Sequence, residues 1–273
     1  NRITRAFNFD EAPLFMCTDS IIKLLSQDSY KQVPESVVRI AYSMFESSAI
    51  PAEAVEIFNN YFDMIVVPDP FLFEVYKSSG VTKPMFCVPT PLYLEDFLAI
   101  PVRQECGTPF TFGCAATCTS RKNLKKLVEA FFKKYGNSPG FQLKIHAKYV
   151  HAQEEQELKD CVHELGATTV DLTFDEIDLG DYVDFLRSLD CYVLISSGEG
   201  FSNTPREALA MGIPCIITNN TGHITICESG YVEGVKCPDL IDAWYQDLKK
   251  FVGHQYDCRI PDVIAAMEEV VHN

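Results

Sequence analysis

From Pro109 onward, short apolar runs alternate with stretches of helical spacing. The runs FTFGCAA (110–116), FQLKIHAK (141–148), TTVDLTF (168–174), CYVLISS (191–197) and PCIITNN (214–220) each read as a strand. Between the first two, RKNLKKLVEAFFKKYG (121–136) puts Leu124, Leu127, Val128, Phe131 and Phe132 on one helical face. A polar, Gln/Glu-rich helix is predicted over 152–165, then one whose apolar face is Tyr182, Phe185, Leu186 and Leu189, and a fourth starting near Thr204. Parallel neighbours need crossovers and carry helices on both faces, so this alternation predicts a doubly wound parallel sheet. Ligands of such sheets bind outside the carboxyl ends of the strands.

The first hundred residues predict a second, smaller α/β unit. SVVRIAYSMFE (36–46) reads as a strand with its exit loop, AEAVEIFNNYF (52–62) as a helix, and DMIVVPD (63–69) as a strand. A helix near 70–79 and a further strand in MFCVPTP (85–91) follow. Proline-rich and aperiodic sequence then marks an interdomain linker. The expected division is an N-terminal domain over 1–90, a linker over 91–108, a C-terminal domain over 109–258, and a C-terminal helix over 259–273. Within the last part of the chain, helices are predicted near 238–252 and 260–271.

Charge and composition narrow the partners. With a formal charge of −15, the chain lacks the clustered Lys and Arg of a surface that follows nucleic-acid phosphates, so no nucleic acid is expected. No apolar run is long enough to cross a bilayer, and no transmembrane segment is expected. The 11 cysteines are scattered, without a CxxC pair or zinc-ligand spacing. They fit reduced core thiols of a cytoplasmic protein. The sequence opens Asn1-Arg2-Ile3, without Met or a signal peptide, which reads as a processed or partial chain.

The segment SSGEGFSNTPREALAMGIP, 196–214, carries the candidate chemistry at one strand's carboxyl end. Thr204, Pro205 and Glu207 have the spacing of a capping box, with Thr204 as N-cap and Glu207 at N3. The same geometry turns backbone N–H groups toward the ligand side, where a phosphate is favoured. Gly198 and Gly200 allow close backbone approach, and the Glu199 carboxylate is suited to accept from sugar hydroxyls.

In the context GEGFSNTPREALAMGIPCI, the pair Glu199 and Glu207 resembles the Glu-x7-Glu motif of the retaining GT-B glycosyltransferases of the fourth family. FTFGCAATCTSRKNLKKLVEAF resembles that family's first C-terminal strand, turn and helix, and FDMIVVPDPFLFEVYKSSGV the end of its N-terminal domain. The resemblance implies two Rossmann-type domains, the N-terminal one incomplete here. It further implies transfer of a sugar from a nucleotide-sugar donor to a glycan, lipid-linked or protein acceptor, with retention and without a metal or cofactor. Consistently, no Asp-x-Asp occurs. Carried over to this chain, Glu207 holds the donor ribose and Glu199 the transferred sugar. Gly113 and the stretch Gly200, Phe201, Ser202, Asn203 and Thr204 contact the donor, and Lys122 with Arg121 neutralises the diphosphate. Where relatives have Arg after the strand glycine, this chain has Cys114. Where they place an N-domain His, it reads Tyr42-Ser43-Met44-Phe45-Glu46.

Phe174 is a candidate to lie against the base, with a core position as its alternative. Glu46 is a candidate acceptor-side group, with a cap for the helix near Pro51 as its alternative. His146 and His223 each follow or end a strand, where a ligand role competes with an ordinary hydrogen-bonded structural one. The competing function is a nucleotide-sugar-binding module without transferase activity. The localisation expected is cytoplasmic, with a peripheral place at a membrane as the variant a lipid-linked acceptor would bring.

Overall fold

The computed structural model describes residues 14–272 apart from 28, 35 and 149–151, so residues 1–13 of the expected N-terminal domain lie outside it. The chain forms two compact units. The first holds the described residues up to Thr90 together with Glu199–Phe201 and Ile241–Gln255. The second holds Pro91–Gly198, Ser202–Leu240 and the chain from Tyr256 onward.

In the first unit, β1 (Leu14–Cys17), α1 (Ile21–Ser26), β2 (Val38–Tyr42), α2 (Ala52–Tyr61), β3 (Met64–Val67), α3 (Pro70–Ser78) and β4 (Met85–Cys87) follow one another. The strands lie in the order β1-β2-β3-β4, every pair parallel. Strand β3 is apolar throughout because it lies inside the sheet with both faces covered. Phe58 of α2 and Tyr76 of α3 are fully buried and stack at 5.6 Å between ring centres. Helix α3 starts where Asp69 accepts from the Phe71 amide at 2.9 Å and Pro70 occupies the first turn.

The second unit begins with α4 (Glu95–Leu98) and continues through β5 (Phe110–Thr117), α5 (Leu124–Tyr135), β6 (Phe141–Lys148), α6 (Ala152–Glu164) and β7 (Val170–Thr173). It then runs through α7 (Leu179–Arg187), β8 (Cys191–Leu194), α8 (Thr204–Ala210), β9 (Cys215–Thr218), α9 (Ile224–Cys227) and β10 (Glu233–Val235). Its sheet is parallel, in the order β10-β9-β8-β5-β6-β7. Strands β8 and β9 are buried at every position, the pattern of central parallel strands. The predicted stripe on α5 is the face that packs, with Leu124, Leu127, Val128 and Phe131 all buried. Each such side chain contributes about 1.5–3 kcal/mol by leaving water.

Two segments differ from the sequence reading. The helix expected near 238–252 is a β-hairpin, β11 (Asp239–Tyr245) with β12 (Lys250–Asp257), and 241–255 belongs to the first unit. Contacts remote in sequence decide this. The Ser47 hydroxyl donates to the Val252 carbonyl at 2.5 Å, the Ser48 amide donates to the His254 carbonyl at 2.9 Å, and Tyr245 stacks on Phe45 at 4.4 Å. The backbone approach is close enough that a Cβ on Gly253, at φ +62, would sit 2.7 Å from the Ala49 nitrogen.

The stretch expected as a linker packs on the second unit: Phe97 of α4 is buried, and Asp190 accepts from both Arg103 and the Gly107 amide. The chain ends in α10 (Ile260–His272), close to the predicted helix. All 11 cysteines are free thiols, and burial pushes that of Cys258 up to about 12. Among the described residues no helix is long and apolar enough to cross a membrane.

Candidate functional site

The second unit's sheet grows from β5 through β6 to β7 on one side and from β8 through β9 to β10 on the other. The order therefore reverses between β5 and β8, which pair directly through Phe112↔Cys191 and Gly113↔Tyr192. Open α/β sheets take ligands outside the carboxyl ends at such a reversal, because the two exit loops there turn to opposite faces. The β5 exit carries Arg121 and Lys122 in a single 3₁₀ turn, Ser120–Lys122. The β8 exit is the segment that leads to Glu199.

Backbone and side-chain hydrogen bonds tie these exits together. The Ser197 amide donates to the Arg121 carbonyl at 2.8 Å, and the Arg121 guanidinium donates back to the Gly198 carbonyl. Asn123, left-handed at φ 54, donates its amide to the Ile195 carbonyl at 2.9 Å. A left-handed turn suits Asn better than most residues, since its short polar chain bonds locally. From β9, the Thr218 hydroxyl donates to the Ser196 carbonyl at 2.6 Å and the Asn220 amide to the same oxygen at 3.0 Å. Arg121, expected to share with Lys122 in neutralising the diphosphate, thus also ties down the β8 exit loop through Gly198.

The capping box is not what forms at α8. Asn203 is the N-cap, with helical φ and ψ and no side-chain cap, so Thr204 and Glu207 each fall one position later than expected. Thr204 Oγ1 instead lies 2.7 Å from Tyr192 Oη, which is also 2.9 Å from the Ala115 carbonyl oxygen of β5. Glu207 Oε2 accepts from Tyr182 Oη of α7 at 2.7 Å. Burial and the adjacent Glu207 carboxylate both push the Tyr182 phenol far above its usual range, so it stays a donor. That bond fixes the Glu207 carboxylate while leaving it part-exposed.

Glu199 is buried at 5% exposure, as is Phe201. Between them, Gly200 is needed for space: a Cβ there would lie 3.0 Å from Met44 Cβ. Ser202 takes φ 65, and its Oγ lies 2.9 Å from His223 Nε2.

The remaining sequence-predicted residues lie elsewhere than on these two exit loops. Gly113 lies in the middle of β5, and a Cβ there would be 2.3 Å from Leu189 Cδ2, so packing requires the glycine. Gly113→Ala is expected to cost about 1–3 kcal/mol in thermal or urea unfolding, with nucleotide affinity of the folded protein unchanged. Phe174 follows the edge strand β7, with Lys159 Nζ 4.8 Å over its ring. The N-cap of α2 is Pro51, and the Glu46 carbonyl accepts from Gln255 at 3.1 Å. His146 is a buried structural histidine 3.0 Å from Thr173 Oγ1, its pKa lowered by burial and by Lys148. Sequence reading missed Tyr182 as the partner of Glu207 and Asn123 as the tie between the exits, since each bond joins residues far apart in the chain.

Residues 109–254 match the profile of a family described as glycosyl transferases group 1. No curated protein matches the chain. Among solved structures, it is similar to the pneumococcal O-GlcNAc transferase GtfA in complex with UDP and GlcNAc, at 16% identity over 82% of this chain and 45% of that one, with a TM-score of 0.60. It is also similar to the lipopolysaccharide outer core galactosyltransferase WaaB in apo form, at 17% identity over 99% and 69%, with a TM-score of 0.62. For trehalose-6-phosphate synthase OtsA the figures are 9% identity over 99% and 66%, and 0.65. The chain thus spans about half the length of GtfA, 45%. At these identities the likeness is one of fold, the parallel α/β sheets of the GT-B class.

Proposed function

This chain belongs to the glycosyl transferases of group 1, and we propose that it transfers a sugar from a nucleoside-diphosphate sugar to an acceptor hydroxyl with retention of configuration. The observation that carries the reading is the meeting of the β5 and β8 exits at the sheet's reversal, with Lys122 on one and the Glu199–Glu207 segment on the other. In this reading the bond from the anomeric carbon to the diphosphate oxygen breaks, and its electron pair leaves with the diphosphate. A new bond forms from the same carbon to the acceptor oxygen, and the acceptor hydroxyl's proton passes to the departing diphosphate oxygen. Lys122 neutralises the charge that develops on the diphosphate, and the Arg121 link to Gly198 keeps the loop in place.

Glu207, oriented by Tyr182, accepts from the ribose hydroxyls, and Glu199 faces the transferred sugar. Retention and the absence of any metal or cofactor from the step are part of the proposal, on the strength of the motif. Acceptor recognition, whether of a glycan, a lipid-linked sugar or a protein, is assigned to the first unit.

The test is calorimetric titration with UDP, GDP and ADP and their sugar conjugates, beginning with UDP because GtfA was solved with it. Glu207→Ala is expected to weaken nucleotide binding about 10- to 100-fold, the loss of hydrogen bonds to a charged acceptor. A wild-type chain that binds none of these nucleotides, or a Glu207→Ala variant that binds as tightly as wild type, would sink the reading.

A further inference from the structure

His223 has no part in the roles assigned above. It follows β9, is fully buried, and both ring nitrogens meet polar atoms. Nδ1 lies 3.1 Å from the Thr218 carbonyl oxygen and 3.2 Å from Thr218 Oγ1. A carbonyl oxygen only accepts, so Nδ1 carries the proton in that contact. The Thr218 hydroxyl already donates to Ser196, which leaves its oxygen as an acceptor toward His223. Both contacts therefore require the same tautomer. In the neutral ring the other nitrogen, Nε2, is then an acceptor, and at 2.9 Å it takes the hydroxyl hydrogen of Ser202.

Ser202 is a non-glycine residue at φ 65, a conformation that costs on the order of 1 kcal/mol or more and persists where surrounding bonds hold it. We infer that His223 is a positioning residue for the donor: it holds Ser202 in this left-handed turn and draws its hydroxyl hydrogen inward. Ser202 then presents oxygen lone pairs toward the ligand side. Lone pairs match a sugar hydroxyl and do not match a phosphate oxygen, which can only accept. The inference rests on the donor reading and adds to it a contact that selects the sugar rather than the nucleotide.

The two ring nitrogens can be mimicked separately, because an Asn side-chain amide reaches the place of Nδ1 and a Gln amide that of Nε2. His223→Asn is expected to weaken binding of the nucleotide sugar about tenfold while affinity for the bare nucleoside diphosphate stays within about twofold. His223→Gln, which restores the contact to Ser202, is expected to stay within about threefold of wild type. Ser202→Ala should match His223→Asn, and combining the two should cost no more than either alone, since one acts through the other.

Additive losses, equal losses for sugar conjugate and bare nucleotide, or a Gln variant as weak as the Asn variant would overturn the inference. In those outcomes a Glu207→Ala effect would still leave the donor reading standing. A wild-type chain that binds no nucleotide sugar would remove both. Imidazole nitrogen NMR of the wild-type chain provides a check that needs no variant to fold: a protonated Nδ1 and bare Nε2 at His223 are expected, and the opposite tautomer would refute the arrangement.

Discussion

Replacing Glu199 by alanine is expected to lower turnover about 10²- to 10³-fold while donor affinity changes by only a fewfold. The difference follows from when each carboxylate acts. Glu207 is fixed by Tyr182 and, in the proposed reading, holds a ribose that does not change during the reaction. Its contribution is the same in ground and transition states, so its loss appears as weaker binding. Glu199 is buried at 5% exposure and lies at the exit of β8, where the reading puts the transferred sugar. Positive character grows on that sugar only as the glycosidic bond breaks. A buried carboxylate with little surrounding water interacts strongly with such a charge, and most strongly at the transition state.

Measured side by side, kcat should fall in Glu199→Ala and the donor Kd should rise in Glu207→Ala. Glu199→Gln should fall between wild type and Glu199→Ala in kcat, since it keeps a hydrogen-bonding oxygen and loses the charge. If Glu199→Ala lost affinity and left kcat unchanged, the roles of the two carboxylates would have to be exchanged.

The parts of this fold that could be read from the sequence are those whose burial is regular. Strands β8 and β9 lie inside a parallel sheet, so both faces are apolar and the runs at 191–197 and 214–220 are continuous. The α5 stripe shows the helical period because only one face packs. The hairpin of β11 and β12 could not be read this way, because it is held by Phe45, Ser47 and Ser48, about 200 residues away in the chain. Neither β1 nor α1 was expected, being a strand and a helix each too short for a periodic signal.

The candidate site divides in the same way. Glu199 and Glu207 stand out because their chemistry sits in one segment. The bonds that orient the site run from Tyr182 to Glu207, from Asn123 to Ile195 and from His223 to Ser202, and none has a local signature. The capping box was legible and did not form, because Tyr192 and Tyr182 engage Thr204 and Glu207 instead.

Asp190→Asn is expected to destabilise the protein by about 3 kcal/mol, a fall in melting temperature of about 6–12 °C for a unit of this size. The Asp190 side chain is 1% exposed and serves three donors: Arg103 Nη1 at 2.6 Å, the Gly107 amide at 2.7 Å and the Thr111 amide at 2.8 Å. Thr111 is itself buried, so its amide has no ready water to replace the carboxylate. Asparagine has nearly the same shape but only one acceptor oxygen, and its NH₂ group would face a donor. At least one buried N–H then goes unpaired, which costs its full desolvation.

Arg103→Ala provides the comparison. Its side chain is 41% exposed, so the loss there is largely that of a screened surface pair, about 1 kcal/mol or less. Calorimetric melting of both variants should therefore rank Asp190→Asn well below Arg103→Ala. The reverse order would mean that the ion pair, rather than the acceptor for two backbone amides, holds residues 103–107 to the start of β8. Asp190 precedes β8 at the end opposite the exit loops, so the folded Asp190→Asn protein should bind nucleotide with wild-type affinity, separating support of the fold from the chemistry of the site.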